Sequence, residues 1–149
     1  MNNLSPKDEM IQLIQQCISM KDFSSATECL EIYKRSFGAD DFFHSCYISI
    51  TPVTILYILN ESEEKVDLAD IIDADFHTNF SIIYIHEKNL IEEFSNCLSS
   101  IDSKYLCFYD SKHHYEKNRI PIILSILKNF SAVNGIMHGR NFIDSDGTV

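Results

Sequence analysis

Apolar residues recur every three or four positions near the start of the chain, with Gln and Glu between them. Ile11, Ile14 and Ile18 belong to this set, and such a period is typical of an amphipathic helix. Ser5 followed by Pro6 predicts the start of the helix, because serine caps a helix N-terminus and proline suits the first helical position. We therefore expect a helix that ends near residues 20–22.

A second helix is predicted over Phe23–Phe37, where Ala26, Leu30 and Tyr33 share an apolar face and Gly38 provides a stop. Two amphipathic helices joined by a tight turn form an antiparallel hairpin. The aromatic residue after the turn and the small alanine resemble the turn and second helix of a tetratricopeptide unit. Because an independent solenoid needs at least about three such units, we interpret this hairpin as a cap or a remnant.

The next segment, residues 42–59, is almost uniformly apolar and is interrupted by Pro52. Asp40 could cap a helix here that continues to about Ser49. After the proline, residues 53–59 are predicted either as a further helix or as a strand. The pattern does not choose between the two structures, because a short apolar run lacks a diagnostic period.

Beyond the polar stretch at residues 60–65 the pattern changes, and apolar runs alternate with helical segments. Strands that alternate with helices imply right-handed crossovers and a mostly parallel sheet. The predicted fold class is therefore α/β, with an N-terminal helical hairpin and apolar connecting segment (residues 1–60) followed by a mostly parallel sheet with flanking helices (residues 61–149). Its predicted strands are residues 68–72, 80–85, 105–109 and 133–143, and its predicted helices are residues 89–101 and 116–130.

Charge narrows the possible partners. The chain has 149 residues, 12 basic and 22 acidic side chains, and a formal net charge of −10 at pH 7. A nucleic-acid surface needs clustered Lys and Arg, so we expect neither nucleic acid nor an anionic membrane as a partner, whereas a basic protein partner is favoured. No stretch reaches the roughly 20 apolar residues that span a bilayer, and the N-terminus lacks the pattern of a signal peptide. We therefore expect a cytoplasmic protein.

Cysteine and histidine give little indication of a metal site. The five cysteines show no CxxC spacing, which excludes the standard zinc and thioredoxin motifs. Cys17, Cys29 and Cys107 fall on predicted apolar faces, and we interpret them as small core residues in a reducing compartment. The adjacent His113 and His114 do not favour a transition-metal site, because neighbouring side chains diverge in a strand or a helix.

Two aspartates directly follow predicted strands. Asp73 follows residues 68–72, and Asp110 follows residues 105–109, which we expect to form a buried strand. In an open parallel sheet, ligands bind beyond the carboxyl ends of the strands. A carboxylate there can hold a divalent ion that bridges the phosphates of a nucleotide, or it can simply end the strand and cap the next turn. Position alone leaves both interpretations open.

From about residue 68 to residue 149, the order of these features resembles the middle of a family 2 glycosyltransferase, an inverting enzyme with a GT-A fold. Residues 70–75 (DIIDAD) look like the strand and acidic turn that hold the nucleotide. Residues 103–113 (SKYLCFYDSKH) are similar to the strand that leads into the metal-binding Asp-x-Asp motif. The resemblance implies Mg²⁺ or Mn²⁺ at Asp110 and a nucleotide-sugar site formed by Asp73, Asp75, Asp110 and Lys112.

Lys112 stands where the family has the second carboxylate of its metal motif. A cation there would repel a divalent ion, although it could itself pair with a diphosphate. In the family, the acceptor half and the catalytic base come after the matched part, so this chain is expected to be incomplete or inactive alone. The alternative function is a noncatalytic acidic module that holds a protein partner through the helical hairpin or the sheet surface.

Overall fold

The computed structural model describes residues 4–60, 65–73, 79–130 and 132 of the chain. Short 3-10 turns, Glu87–Asn89 and Leu98–Ser100, flank one of the helices. The elements confirm the predicted α/β class with an N-terminal helical hairpin. In the described residues the helices are α1 (Pro6–Ser19), α2 (Phe23–Phe37), α3 (Asp41–Ile50), α4 (Leu68–Ile71), α5 (Leu90–Cys97) and α6 (Arg119–Asn129), and the strands are β1 (Val53–Leu59), β2 (Phe80–His86) and β3 (Tyr105–Asp110).

Local capping fixes the ends of the hairpin helices. The Ser5 hydroxyl accepts a hydrogen bond from the Asp8 amide at 3.2 Å, and the Asp8 carboxylate accepts one from the Ser5 amide at 3.3 Å. Asp22 caps α2 by accepting a hydrogen bond from the Ser25 amide at 3.1 Å. Gly38 ends α2 with φ at 89°, a conformation that side chains disfavour. These signals lie within a few residues of each helix end, which is why the sequence predicts both helices.

The first three helices share a core of their own. Ala26 is fully buried, and its small side chain lets α1 and α2 approach closely. Helix α3 closes this core from the other side through Phe43, Cys46 and Ile50. The complete set of buried residues is Ile14, Cys17, Ala26, Leu30, Tyr33, Phe43, Cys46 and Ile50.

Residues 53–59 form the strand β1, so the helical alternative for this segment is wrong. β1 pairs in parallel with β2 on one side and with β3 on the other. Both of its faces are covered, and Ile55 and Leu56, which point to opposite faces, are fully buried. A strand that is buried on both faces has a continuous run of apolar residues and not an alternating pattern. This explains why the sequence of residues 53–59 is compatible with either a helix or a strand.

The sheet has the strand order β2-β1-β3. β3 is therefore an edge strand among the described residues, and the expectation that residues 105–109 form a buried strand is wrong. Only alternate side chains of β3 point into the core. Tyr109 is 1% exposed, whereas Leu106 and Phe108 are 36% and 49% exposed.

Helices cover the two faces of the sheet unequally. On one face, α4 and α6 pack against Ile55, Tyr57 and Tyr109 through Ile71 and Leu124. On the other face, the Phe94 ring of α5 lies 6.1 Å from the Phe108 ring. The complete core of the first face comprises Val53, Ile55, Tyr57, Leu59, Ile71, Ile72, Tyr109, Ile120 and Leu124.

Residues 68–72 form the short helix α4 and its end, not the predicted strand. The Asp67 carboxylate accepts a hydrogen bond from the Ala69 amide at 3.0 Å, as expected at the start of a helix. Ile71 and Ile72 are buried in the core of the sheet. Because the run is short and apolar, its sequence cannot distinguish a buried helix from a buried strand.

Three further predictions concern where elements begin and end along the chain. The central strand β1 precedes residue 60, so the sheet includes part of the apolar connecting segment that the sequence groups with the helical hairpin. Helix α6 begins at Arg119, three residues later than predicted. The predicted strand at residues 133–143 lies outside the described residues, and so does Asp75.

Candidate functional site

The candidate site is the loop that follows β3 at the carboxyl edge of the sheet. Asp110 is the last residue of β3, and its Oδ1 accepts a hydrogen bond from the Lys112 amide at 3.0 Å. The Nδ1 atom of His113 also contacts this oxygen. The Asp110 carboxylate is thus turned toward its own loop, where it stabilises the turn that ends the strand.

Ser111 ties this loop to the end of the central strand. Its amide donates a hydrogen bond to the Ile58 carbonyl at 3.0 Å. Its hydroxyl accepts one from the Asn60 amide at 3.3 Å. The candidate loop therefore lies directly beside the carboxyl end of β1.

A cluster of aromatic rings and one guanidinium holds the loop against α6. The Arg119 guanidinium carbon lies 4.5 Å from the centre of the Tyr109 ring and 4.7 Å from that of Tyr115. Arg119 also donates a hydrogen bond to the Phe108 carbonyl at 2.9 Å. The Tyr115 hydroxyl accepts a hydrogen bond from the Asp110 amide at 3.1 Å. These contacts fix the start of α6 to the end of β3.

Burial raises the pKa of Tyr109 to about 12, so this phenol is neutral at physiological pH. Burial also raises the pKa of Tyr115. Both phenols pack within the loop. General acid–base catalysis is most efficient for a group with a pKa near neutrality, and neither tyrosine has such a pKa.

Lys112 reaches across the sheet to a residue of a different loop. Its Nζ lies 2.6 Å from Oε1 of Glu87, which directly follows β2. Because β1 lies between β2 and β3, this ion pair passes across the carboxyl end of β1. Both side chains are about half exposed, and such a surface pair contributes only about 0–1 kcal/mol to stability. The pair can therefore be exchanged for a contact with a ligand at little cost in stability.

The sequence-predicted site residues are only partly brought together. Asp73 lies after α4, and its amide donates a hydrogen bond to the Lys117 carbonyl at 3.2 Å. Asp110 contacts the same loop through Tyr115. The loop at residues 111–118 thus joins Asp73 and Asp110 at one edge of the sheet, whereas Asp75 lies outside the described residues.

The donor set around Asp110 does not fit a magnesium or manganese ion. These cations require several oxygen ligands in near-octahedral geometry. The described residues contain no group of three or more His, Cys, Asp and Glu side chains that could hold a metal. The Lys112 amide and the His113 ring contact Oδ1 of Asp110, and the side chain two positions after Asp110 is a cation.

Sequence reasoning missed three residues of this edge. Glu87 follows the predicted strand at residues 80–85, so the rule that selects Asp110 would also have selected it. Tyr115 and Arg119 carry no comparable signal, because their role depends on packing against Tyr109. Only the folded chain brings these groups together.

None of three comparisons with known proteins, by family model, by sequence and by structure, gives a significant match. Within the described residues, every helix is too short or too polar to cross a lipid bilayer.

Proposed function

We propose that the carboxyl edge of the sheet binds the diphosphate of a nucleotide sugar, without a metal ion and without catalysis by this chain alone. The chain would then be a glycosyltransferase-like domain that keeps the donor side of the site. The observation that carries the proposal is the loop at Asp110, with its exchangeable Lys112–Glu87 ion pair, at the carboxyl edge of a parallel sheet.

The strand order supports this edge as a ligand site. The chain passes from β1 to β2 on one side of β1 and then crosses to β3 on the other side. Such a reversal leaves a crevice beyond the carboxyl ends of the strands, which is where open α/β sheets bind ligands. The loop at Asp110 and Asn60, the residue after β1, lie together at this edge.

Lys112 is the group that we assign to the diphosphate. In the free protein its ammonium pairs with Glu87. A diphosphate offers more negative charge than one carboxylate, so it would displace Glu87 and pair with Lys112. Asp110 would act as a positioning residue, because its carboxylate accepts the Lys112 amide and holds the turn.

The experiment is a calorimetric titration with UDP-, GDP- and dTDP-sugars, with and without Mn²⁺. We expect one of these ligands to bind with the same affinity in both conditions. Replacing Lys112 with Gln should weaken binding about tenfold, the loss expected for one charge-assisted contact. Asp110→Asn should weaken it by disturbing the turn.

Asp102→Asn is the matched control, because Asp102 is an exposed aspartate at the opposite edge of the sheet. Circular dichroism would verify that each variant is folded. No binding of any nucleotide sugar by the wild-type protein would refute the proposal, as would equal binding by the Lys112 and Asp102 variants. Binding that requires Mn²⁺ would refute its metal-independent form.

The second candidate function is a noncatalytic module that holds a basic protein partner. A basic partner is favoured by the net charge of −10, and a protein contact is favoured by apolar side chains that are exposed on and near α5 and on β3. Ile91 of α5 is 83% exposed, and Leu98 and Phe108 are each 49% exposed. Failure of every nucleotide titration would favour this function over the first.

We also propose a cytoplasmic location and no nucleic-acid partner for either function. All five cysteines are free thiols in the structure, which suits a reducing compartment. The net charge of −10 disfavours a polyanion as large as nucleic acid. Neither point excludes a small phosphorylated ligand, which needs only a few local cations.

A further inference from the structure

Three lysines from separate parts of the chain converge on one pair of aromatic rings at the amino edge of the sheet. The rings are Phe43 and Tyr47 of α3, with their centres 6.1 Å apart. The Nζ atoms of Lys34 and Lys128 each lie 5.4 Å from the centre of the Phe43 ring. Those of Lys104 and Lys128 each lie 5.6 Å from the centre of the Tyr47 ring.

These lysines differ from the paired lysines elsewhere in the molecule. Lys7 and Lys112 form ion pairs with Asp40 and Glu87. In the part of the chain that the structure describes, none of the three lysines at the amino edge forms an ion pair with a carboxylate. The unneutralised cations are notable in a protein whose acidic side chains outnumber its basic ones, 22 to 12.

Two of these lysines, Lys34 and Lys128, are close enough for the charge of one to influence the other. Burial lowers the pKa of Lys128, and the charge of Lys34 lowers it further. Like charges held together in this way would be stabilised by an anion between them. Lys128 is half-buried, while Lys34 and Lys104 are exposed, so an anion from solvent can reach all three.

Tyr47 adds a polar group to the same place. Its hydroxyl oxygen accepts a hydrogen bond from Nζ of Lys104 at 3.0 Å. A tyrosine hydroxyl that accepts one hydrogen bond still has its own proton to donate. The ammonium groups and this hydroxyl are donors that suit the oxygens of a phosphate group.

A groove of about 290 Å³ runs between β3 and α6, and its lining extends from Lys104, beside these lysines, to Arg119. Most of the residues between these two cations are apolar. Lys104 lines one end of it, next to Leu127, the residue before Lys128. Cys107 and Ile123 line its middle. Its size is near the lower end of the range for small-molecule pockets, about 300–1,000 Å³.

We propose that this edge binds a small phosphate monoester with an apolar substituent, with the phosphate held by Lys34, Lys104, Lys128 and the Tyr47 hydroxyl and the apolar part in the groove. The charges select an oxyanion, and the groove selects an ester over inorganic phosphate. The lysines that would hold the phosphate lie at the opposite end of the strands from Asp110, so this site does not depend on the nucleotide-sugar proposal.

Hexyl phosphate, inorganic phosphate and hexanol are suitable probes for calorimetry in buffer with physiological salt. We expect hexyl phosphate to bind at least about tenfold more tightly than inorganic phosphate, because several buried methylene groups each add to the affinity. Hexanol should show no measurable binding. Lys104→Gln and Lys128→Gln should each weaken the binding of hexyl phosphate about tenfold.

Lys65→Gln is the matched control, because the Nζ of Lys65 also lies over a tyrosine ring, at 5.2 Å from the centre of Tyr84. It should leave the affinity for hexyl phosphate unchanged. Lys34→Gln, at an exposed position, should also weaken the binding of hexyl phosphate.

Each of four results would overturn the proposal. The first is no binding of hexyl phosphate by the wild-type protein. The second is equal affinity for hexyl phosphate and inorganic phosphate, and the third is comparable binding of hexanol. The fourth is an equal loss of affinity in the Lys65 and Lys104 variants, which would mean that the lysines at the amino edge only cover aromatic rings.

Discussion

At the scale of single residues, Asp40 shows how one carboxylate can organise several elements. It accepts hydrogen bonds from Nζ of Lys7 at 2.9 Å, from the Tyr33 hydroxyl at 2.8 Å and from the Phe43 amide at 3.0 Å. These donors belong to α1, α2 and α3. Lys7 and the other two donors lower the pKa of Asp40 to about 2, because each of them stabilises the ionised form.

This pKa predicts an acid-dependent loss of stability. The ordinary pKa of an aspartate is 3.8 and that of folded Asp40 is about 2, so the ionised carboxylate stabilises the folded state above pH 4. That contribution is lost as the pH falls from about 4 through about 2. Asp40→Asn should lower the free energy of unfolding at pH 7 and should flatten its decrease between pH 5 and pH 2.

Urea denaturation at several pH values would measure this effect, with Asp102→Asn as a control at an exposed aspartate. Parallel pH profiles for the wild-type protein and the Asp40 variant would show that Asp40 does not provide the acid-dependent stability.

At the scale of elements, position in the sheet decides how much each strand contributes. β1 is the central strand, and its side chains are buried on both faces of the sheet. β3 is at the edge, and its side chains are well buried on only one face. The face that bears Leu106 and Phe108 has only partial cover from α5. Two leucines on the same face of these strands, Leu56 of β1 and Leu106 of β3, are therefore buried to different extents.

Leu56→Ala should reduce the free energy of unfolding by about 2–5 kcal/mol, because Leu56 is fully buried and its removal leaves a cavity. Leu106→Ala is the matched control on the same face of the sheet. It should cost much less, since Leu106 is 36% exposed. Chemical denaturation would measure both, and equal losses would contradict the description of β1 as central and β3 as an edge.

At the scale of the whole molecule, the helical unit and the sheet are joined at the amino edge. Only Thr51 and Pro52 separate α3 from β1. Asn79, just before β2, donates a side-chain hydrogen bond to the Ile50 carbonyl at 2.7 Å. Lys104, just before β3, contacts Tyr47 of α3. These links cross the boundary that the sequence predicts at residue 60.

We therefore expect the two cores to unfold together. Leu30→Ala in the helical core and Leu124→Ala in the sheet core remove side chains that are each 2% exposed. Each should shift a single transition by about 2–5 kcal/mol. Circular dichroism combined with hydrogen exchange in α1 and β1 would test this, and loss of protection in α1 alone after Leu30→Ala would indicate two independent units.

Within the candidate site, the sequence predicted the position of Asp110 but not its surroundings. The apolar run before it and the parallel-sheet rule placed this carboxylate at the carboxyl edge, as the structure has it. The Lys112–Glu87 ion pair joins residues that are 25 positions apart, and no periodic pattern records such a pairing. The lysines at the amino edge come from α2, from α6 and from the position just before β3, and they carry no common motif.

The sequence by itself determined the elements whose signals are local. Ser5, Asp22 and Gly38 fix the ends of the hairpin helices through contacts within a few residues, and the apolar runs of β2 and β3 were predicted as strands. Only the tertiary structure decided that residues 53–59 are the central strand and that residues 68–71 are a helix. A segment that is buried on several sides is apolar at nearly every position, so its sequence shows no helical or strand period. Its conformation is therefore decided by the residues that pack around it.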